Sequence, residues 1–320
     1  MNQETFERRH TRSWVALEEA VGAMERGETV SLDFPSSYRR LCQHLALARH
    51  RLYSASLIER LNRLAVRCHR HLYSQRASIR ARVEDFIIRG FPQAVRRQWR
   101  LVLASSLLFY VPLIATIALV SVDPDRVYMF MDPMSVASME EMYDPASAHQ
   151  LQERESSSDL VMFGYYIRNN IGIALRTFGA GVAFAVGSVL VLISNGLTIG
   201  AVAGHLQGIG YGETFWPFVI GHGSFELTAI VLAGAAGLQL GMAVVSPGRR
   251  SRALALREEA LDSLPLVYGF SGMLLVAAFI EAFWSSSKTV PPEVRYAVGA
   301  ALWVAVFAWL GLSGRARVAR

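Results

Sequence analysis

The sequence predicts an all-α fold: a polytopic helical membrane domain preceded by an N-terminal cytoplasmic helical domain. Three observations carry that expectation. The chain is 52% hydrophobic with a mean hydropathy of +0.28, too apolar for an ordinary soluble protein of 320 residues. Beyond residue 100 come long charge-free runs: Leu101–Val122, Thr177–Gly212, Leu227–Gly248, Ser263–Ile280 and Tyr296–Gly314. A helix needs roughly 20 apolar residues to cross a bilayer. Charge is also segregated, with 19 of the 32 basic residues in residues 1–100, all of them Arg, against 10 acidic ones, a net +9. A single large soluble core is disfavoured, because core helices are shorter and keep a polar face.

Residues 1–90 read as an Arg-rich cytoplasmic helical bundle. Met1–His10 is polar, so no signal peptide is expected. Trp14, Leu17, Val21 and Met24 recur at spacings of 3, 4 and 3, one stripe of an amphipathic helix. A break at Gly27–Phe34 follows, and Asp33 with Pro35 suits the first turn of a second helix. Ser56 and Glu59 read as a capping box for a third, with Leu57, Leu61, Leu64, Cys68 and Leu72 as its apolar stripe. A fourth, around Ile79, Val83, Phe86 and Ile87, is expected to end at Gly90. Cys42 and Cys68 lack CxxC spacing and read as reduced structural thiols. The arginines are scattered at helical intervals without a nucleic-acid motif, so they read as a solvated face near anionic lipid headgroups, with no nucleic-acid partner.

Residues 91–100 form the expected interfacial elbow. Phe91, Val95 and Trp99 share one face, while Arg96, Arg97 and Arg100 occupy the others, a composition suited to the headgroup layer. The membrane domain, 101–320, then opens with a span and an acidic loop, 123–159, which holds nine acidic residues and two arginines, a net −7. Basic residues collect on the cytoplasmic side, so this loop is expected outside. The loop Arg249–Asp262, with four arginines, and the basic tail Arg315–Arg320 are expected inside. Two cytoplasmic termini require an even number of crossings. Leu101–Val122, Ser224–Val245, Leu264–Trp284 and Tyr296–Leu312 are clear spans. Thr177–Gly212 would measure about 54 Å as one helix, so a bend or pause is expected at Asn195-Gly196. The amphipathic Leu160–Arg176 then decides between five and six crossings, and six is the expectation. The expected location is a membrane crossed several times, with the N-terminus cytoplasmic.

Several runs resemble a known family. Asn169–Gly181 (NNIGIALRTFGAG), Asn195-Gly196 followed by Gly200–His205 (GAVAGH), Gly210–Trp216 (GYGETFW) and Gly221–Gly241 (GHGSFELTAIVLAGAAGLQLG) are similar to the stage II sporulation protein M family. FERRHTRSW, PSSYRRLCQHLALAR, RGFP and Phe279–Ser287 resemble its longer bacterial branch. The resemblance implies an integral membrane scaffold that gathers peptidoglycan-remodelling or other cell-envelope factors, or works beside an associated ATPase. The Arg-rich N-terminal domain departs from the compact sporulation member, so the membrane core is the part that transfers.

Two constellations carry candidate roles. Gly196, Gly200, Gly204 and Gly208 form one row of small residues, and Ala229, Ala233, Gly237 and Gly241 another. Such rows allow close helix packing within the chain, or association with a second copy or a partner. The second constellation is an intramembrane polar cluster drawn from His205, His222, Glu226, Asn195, Asn170, Arg168, Arg176 and Glu281, since ionisable groups in a membrane segment are costly. His222 and Glu226 are four apart on one face. Gly221 and Gly223 suggest a helix start there, whose dipole would favour Glu226. His205, ending the preceding span, is expected to approach this pair, and Glu281 to find a partner in Arg168, Arg176 or Asn170. Two His and one Glu are a feasible zinc set, hydrolytic with a bound water, yet no HExxH is present. No nucleotide-binding loop, nucleophile elbow or paired catalytic carboxylates appear. The expectation is therefore a non-enzymatic scaffold with no catalytic residue, metal or cofactor. Membrane lipids and proteins are its expected partners, and a homo-oligomer its further expectation. The alternatives are a transporter or channel lined by the cluster, for which no inverted repeat is evident, and an intramembrane metal-dependent hydrolase.

Overall fold

A computed structural model describes residues 2–26, 28, 33–74, 79–146, 156–287 and 289–315, and every regular element among them is helical. The chain divides into two compact units, Met1–Val83 and Glu84–Arg320. Parts of the expected Gly27–Phe34 break, of the acidic loop (147–155) and of the basic tail (316–320) fall outside the described residues.

The first unit is built from α1 (Gln3–Glu25), α2 (Phe34–His50) and α3 (Ala55–Ser74). Asn2 caps α1, its side chain accepting from Thr5 N at 3.1 Å, and Asp33 caps α2 through Ser36 N. The cap of α3 is Ser54 rather than Ser56: Leu57 N donates to Ser54 Oγ at 3.4 Å, while Glu59 pairs with Arg63 one turn on. The apolar stripes meet in one core of Phe6, Trp14, Leu17, Val21, Leu41, Leu57, Leu61, Leu64 and Cys68. Burial raises the Cys68 thiol to about 11, so it is inert at neutral pH. Two arginines reach across from α3 to α1 in bidentate pairs, Arg60 to Glu18 and Arg67 to Glu25.

The helix α4 (Ile79–Asp85) does not stop at Gly90. A π-turn, Phe86–Gly90, carries it into α5 (Phe91–Arg97), and the chain bends at Gln98 before α6 (Trp99–Val122). In this elbow Phe91 and Val95 are buried, but Trp99 is exposed. Arg96 donates to Leu310 O (2.6 Å) and Ser313 O (2.7 Å), and Gln93 to Gly314 O (2.7 Å). The guanidinium thus supplies the donors that the last carbonyls of the C-terminal helix lack.

After a 3₁₀ turn at Pro124–Met129, α7 (Pro133–Tyr143) is capped by Asp132. Then come α8 (Ser156–Gly179), α9 (Val186–Gly208), α10 (Gly212–Val245), α11 (Arg252–Phe279) with a π-turn at Ile280–Ser285, and α12 (Pro292–Leu312). Five helices are long and apolar enough to cross a membrane: Trp99–Val122, Val186–Gly208, Gly212–Val245, Arg252–Ser285 and Pro292–Leu312. The centre is α10, buried almost continuously from Thr228 to Gly241 and packed against α6, α8, α9, α11 and α12. Leu103, Leu107, Val111, Ile114, Leu190 and Phe307 form part of an exposed apolar surface that suits lipid.

Two expected breaks lie elsewhere. Asn195-Gly196 sits inside an unbroken α9, Asn195 Nδ2 donating back to Val191 O at 2.8 Å. The long run is interrupted instead at Ala180–Ala185, where Phe184 and Ala185 adopt φ of 55° and 66°. That turn presses on α10, and a Cβ on Gly181, Gly237 or Gly241 would collide with the facing backbone. Likewise Gly221–Gly223 is no helix start, because α10 begins at Gly212. Glu226 therefore lies beyond the reach of the N-terminal dipole, which fades within a turn.

The glycine row of α9 lies on α6. A Cβ at Gly200 would stand 2.6 Å from Leu113 O, one at Gly204 2.8 Å from Ile117 O, and one at Gly208 2.7 Å from Pro124 Cγ; Gly196 faces Phe109 O. Phe109, Leu113 and Ile117 are themselves four residues apart, so backbones touch at three successive turns. In the second row Ala229 and Ala233 are fully buried, and Gly237 faces Thr177 O and Ser188.

Candidate functional site

The π-turn at the end of α11 positions the site. A π-turn adds one residue to a helical turn and re-aims the side chains after it, a distortion common at functional sites. Here it brings Glu281 to α10, where His222 and Glu226 sit one turn apart with Nε2 and Oε2 at 3.8 Å. One ligand-type atom from each of His222, Glu226 and Glu281 lies within 4.8 Å of the others. His222 is 5% exposed, and its Nδ1 stands 3.3 Å from Ser285 Oγ, from the same π-turn. Oε2 of Glu281 is buried with no hydrogen-bond partner.

Small and aromatic residues make room for this arrangement. Gly221 lets the Trp284 ring lie on α10, where a side chain would overlap it. Phe218 meets the His222 ring edge-on at 5.5 Å, and Phe163 of α8 packs on Phe283 at 5.7 Å. Arg295, beside the π-turn, donates to Ser285 O at 3.0 Å, Val290 O at 3.2 Å and Ser287 O. Its charge is thus spent on backbone carbonyls. Tyr143, ending α7, reaches the same region: burial raises its phenol, with Glu281, Tyr166 and Glu226 adding to the effect. Its ring packs on Phe215 and Phe218 of α10.

Other members of the expected cluster go elsewhere. His205 does not approach His222; its Nε2 pairs with Glu140 Oε1 at 2.7 Å and its Nδ1 meets Pro124 O at 3.0 Å. It anchors the acidic segment through the Glu140 carboxylate of α7. Asn195 is used within α9, as described. Asn170 is buried on α8, its Oδ1 accepting from Asn169 Nδ2 at 2.9 Å. Arg168 and Arg176 do not partner Glu281; with Tyr165, Asn169 and Gly172 they line a groove of about 540 Å³ along α8. Of the eight residues, the structure gathers three: His222, Glu226 and Glu281.

Two features escaped the sequence reading. Ser285 and Tyr143 carry no signal of their own, one a serine in a triplet and the other a loop aromatic. At the opposite end of α10, buried Gln239 donates to Glu259 Oε2 at 2.9 Å, and Arg250 pairs with Glu258 at 2.7 Å. Gln239, the one polar residue in the stretch Ala229–Val245, was the available clue.

Comparison with known proteins adds family but no relative. No curated protein matches the chain, and no solved structure matches it. Residues 4–74 match a family model described only as a domain of unknown function. Residues 105–286, more than half of the chain and including the whole of the His222–Glu226–Glu281 site, match the model of stage II sporulation protein M, and the chain belongs to that family of membrane proteins.

Proposed function

We propose that the protein is a non-enzymatic scaffold of the bacterial inner membrane, which offers its acidic outer segment and its Arg-rich N-terminal unit to partner proteins. One observation carries the reading: the acidic segment is folded and fastened, yet leaves apolar side chains outward. Glu140 is held by His205, and the Thr214 hydroxyl donates to Tyr143 O at 2.5 Å. Meanwhile Tyr128, Met129, Met134 and Met142 stand 51%, 73%, 79% and 56% exposed. Methionine-rich surfaces among acidic residues suit adaptable protein contacts. The family points to cell-envelope or wall-remodelling enzymes, or an associated ATPase, as the partners. A permeation role is less well supported, because the polar groups at the two ends of α10 are separated by the packed apolar stretch Ala229–Leu238, about 15 Å of helix.

Six crossings, with α8 as the sixth, fit this reading. The start of α6 and the end of α12 are joined by Arg96 and Gln93, so both lie on one side, which requires an even count. The five apolar helices give an odd one. The 24 residues of α8 are about 36 Å long, and the helix packs along α10 and α11. Charge asymmetry supports a cytoplasmic N-terminus.

Photo-crosslinking from Met134 and Met142 in native membranes tests the scaffold. Discrete adducts with other envelope proteins are expected, and adducts with lipid alone would refute it. A reporter within Glu140–Tyr143 should label from outside and one after Arg320 only from inside. External labelling at the C-terminus would remove α8 from the crossings.

A further inference from the structure

We propose that His222, Glu226 and Glu281 hold one divalent ion of the zinc class, bound through His222 Nε2 and an oxygen of each carboxylate, tying α10 to the π-turn of α11. The inference is independent of the scaffold reading, since a structural ion serves any function of the membrane unit.

Three separate features of the site support it. The first is charge. Two carboxylates face one another in an apolar interior, and among the described residues the only basic group within ion-pair range of either is the His222 ring. Arg295 donates to carbonyls instead. Uncompensated carboxylates are expelled from such surroundings unless a cation or a proton joins them.

The second feature is unused ligand atoms. Glu281 Oε2 is buried without a partner. His222 is 5% exposed, and the nearest charged neighbour of its Nε2, Glu226 Oε2 at 3.8 Å, is too far for a hydrogen bond. Ligands about 2.1 Å from a tetrahedral zinc stand roughly 3.4 Å apart. The observed spread, up to 4.8 Å, needs only small rotations of two glutamate side chains.

The third is the orientation of the ring. Nδ1 lies 3.3 Å from Ser285 Oγ, and in the tautomer in which Nδ1 donates to that oxygen Nε2 carries a bare lone pair on the side of the carboxylates. Metal-bound histidines are oriented by such a bond from their other nitrogen. One imidazole and two carboxylates suit zinc or its first-row neighbours, whereas calcium and magnesium prefer all-oxygen shells and copper(I) prefers sulfur. The π-turn supplies two of the parts, Glu281 and Ser285.

Full-length protein, purified in mild detergent without a polyhistidine tag, is loaded with zinc, desalted and analysed for metal. One zinc per chain is expected, with X-ray absorption showing nitrogen and oxygen ligands only. His222→Ala and Glu281→Gln should lose it, and Ser285→Ala should weaken it about tenfold. His205→Gln and His44→Gln should keep it. Glu281→Gln preserves side-chain shape, so its loss of zinc is separable from misfolding. Zinc should also raise the unfolding midpoint of the parent but not of Glu281→Gln. The proposal is overturned if the parent retains no zinc, if Glu281→Gln retains it, or if His44→Gln loses it. Infrared spectra of the metal-free parent should show a protonated carboxyl that zinc loading removes, because metal binding displaces the proton. A protonated carboxyl that persists in the zinc-loaded parent and is lost in Glu281→Gln would assign a shared proton to the site and overturn the proposal.

Discussion

The N-terminal unit hides Phe6, Trp14, Leu17 and Leu61, whereas the membrane unit hides Ser105, Thr116, Ser188, His222 and Gln239 and exposes Leu103, Leu107, Val111, Ile114 and Phe307. Both are all helical, but different forces hold their helices together. In the first, removing large side chains from water drives association, and arginines pair on the outside with Glu18 and Glu25. In the second, lipid is as apolar as leucine, so burial of leucine gains little. Contact area and hydrogen bonds to backbone replace it: glycines of α9 touch carbonyls of α6, Ser105 Oγ donates to Val231 O at 2.7 Å, and Ser188 Oγ to Thr177 O at 2.5 Å. Large residues hold the first unit, whereas the second adds small-residue contacts to a core that also buries Phe91, Phe109 and Phe270.

The sharpest way to break that contrast is to truncate a large apolar side chain in each setting, buried in the first unit and lipid-facing in the second. Trp14→Ala should destabilise the N-terminal unit by about 3–5 kcal/mol, read as loss of hydrogen-exchange protection across α1 and α2. Leu107→Ala, on the exposed face of α6, should change the membrane unit by no more than about 0.5 kcal/mol in detergent. Comparable losses from the two would mean that Leu107 is covered by something other than lipid. The reverse substitution probes the other principle. Gly200→Leu and Gly237→Leu insert bulk where a Cβ already meets Leu113 O at 2.6 Å or Thr177 O at 2.7 Å, and each should cost about 1–3 kcal/mol or more. Leu197→Ala, on the same helix, should cost less, and thermal unfolding in detergent decides. Equal losses from all three would remove the close-packing argument.

The same contrast explains what the sequence could reveal. Stripes such as Trp14, Leu17 and Val21 or Leu57, Leu61 and Leu64 are legible because a water-facing helix must be two-sided. The glycine rows are legible because four-residue spacing survives in a wholly apolar helix. Where membrane helices break is harder to read. Asn195-Gly196 looks like a turn but serves packing, while the real turn uses Phe184 and Ala185, residues with no turn preference. The candidate site was half legible: His222 and Glu226 share a helical face by spacing alone. Glu281 joins them only through a π-turn, which has no sequence signature, and His205 is drawn away by Glu140, 65 residues earlier.

The smallest expected effect tests whether the N-terminal core depends on a neutral histidine. Trp14 Nε1 donates to His44 Nδ1 at 3.1 Å, and the rings of His44 and His10 are 4.1 Å apart. Burial, then His10 and Arg40, hold His44 below its ordinary 6.5. Burial and Arg9 do the same for His10. A histidine whose pKa is depressed by folding binds its proton more readily in the unfolded chain. Above pH 6.5 both states are neutral and stability is flat; as pH falls through 6.5 the unfolded chain is protonated first, and the fold weakens. Protonating Nδ1 also removes the acceptor that Trp14 uses, so geometry and charge agree in sign. Exchange protection of Phe6–Val21 should therefore fall between pH 7.5 and 5.5, above the range of ordinary carboxylates near about 4. His44→Phe should flatten that dependence, at a fixed cost of about 1 kcal/mol for the unpaired indole N–H. A pH profile unchanged by His44→Phe would show that the weakening arises elsewhere.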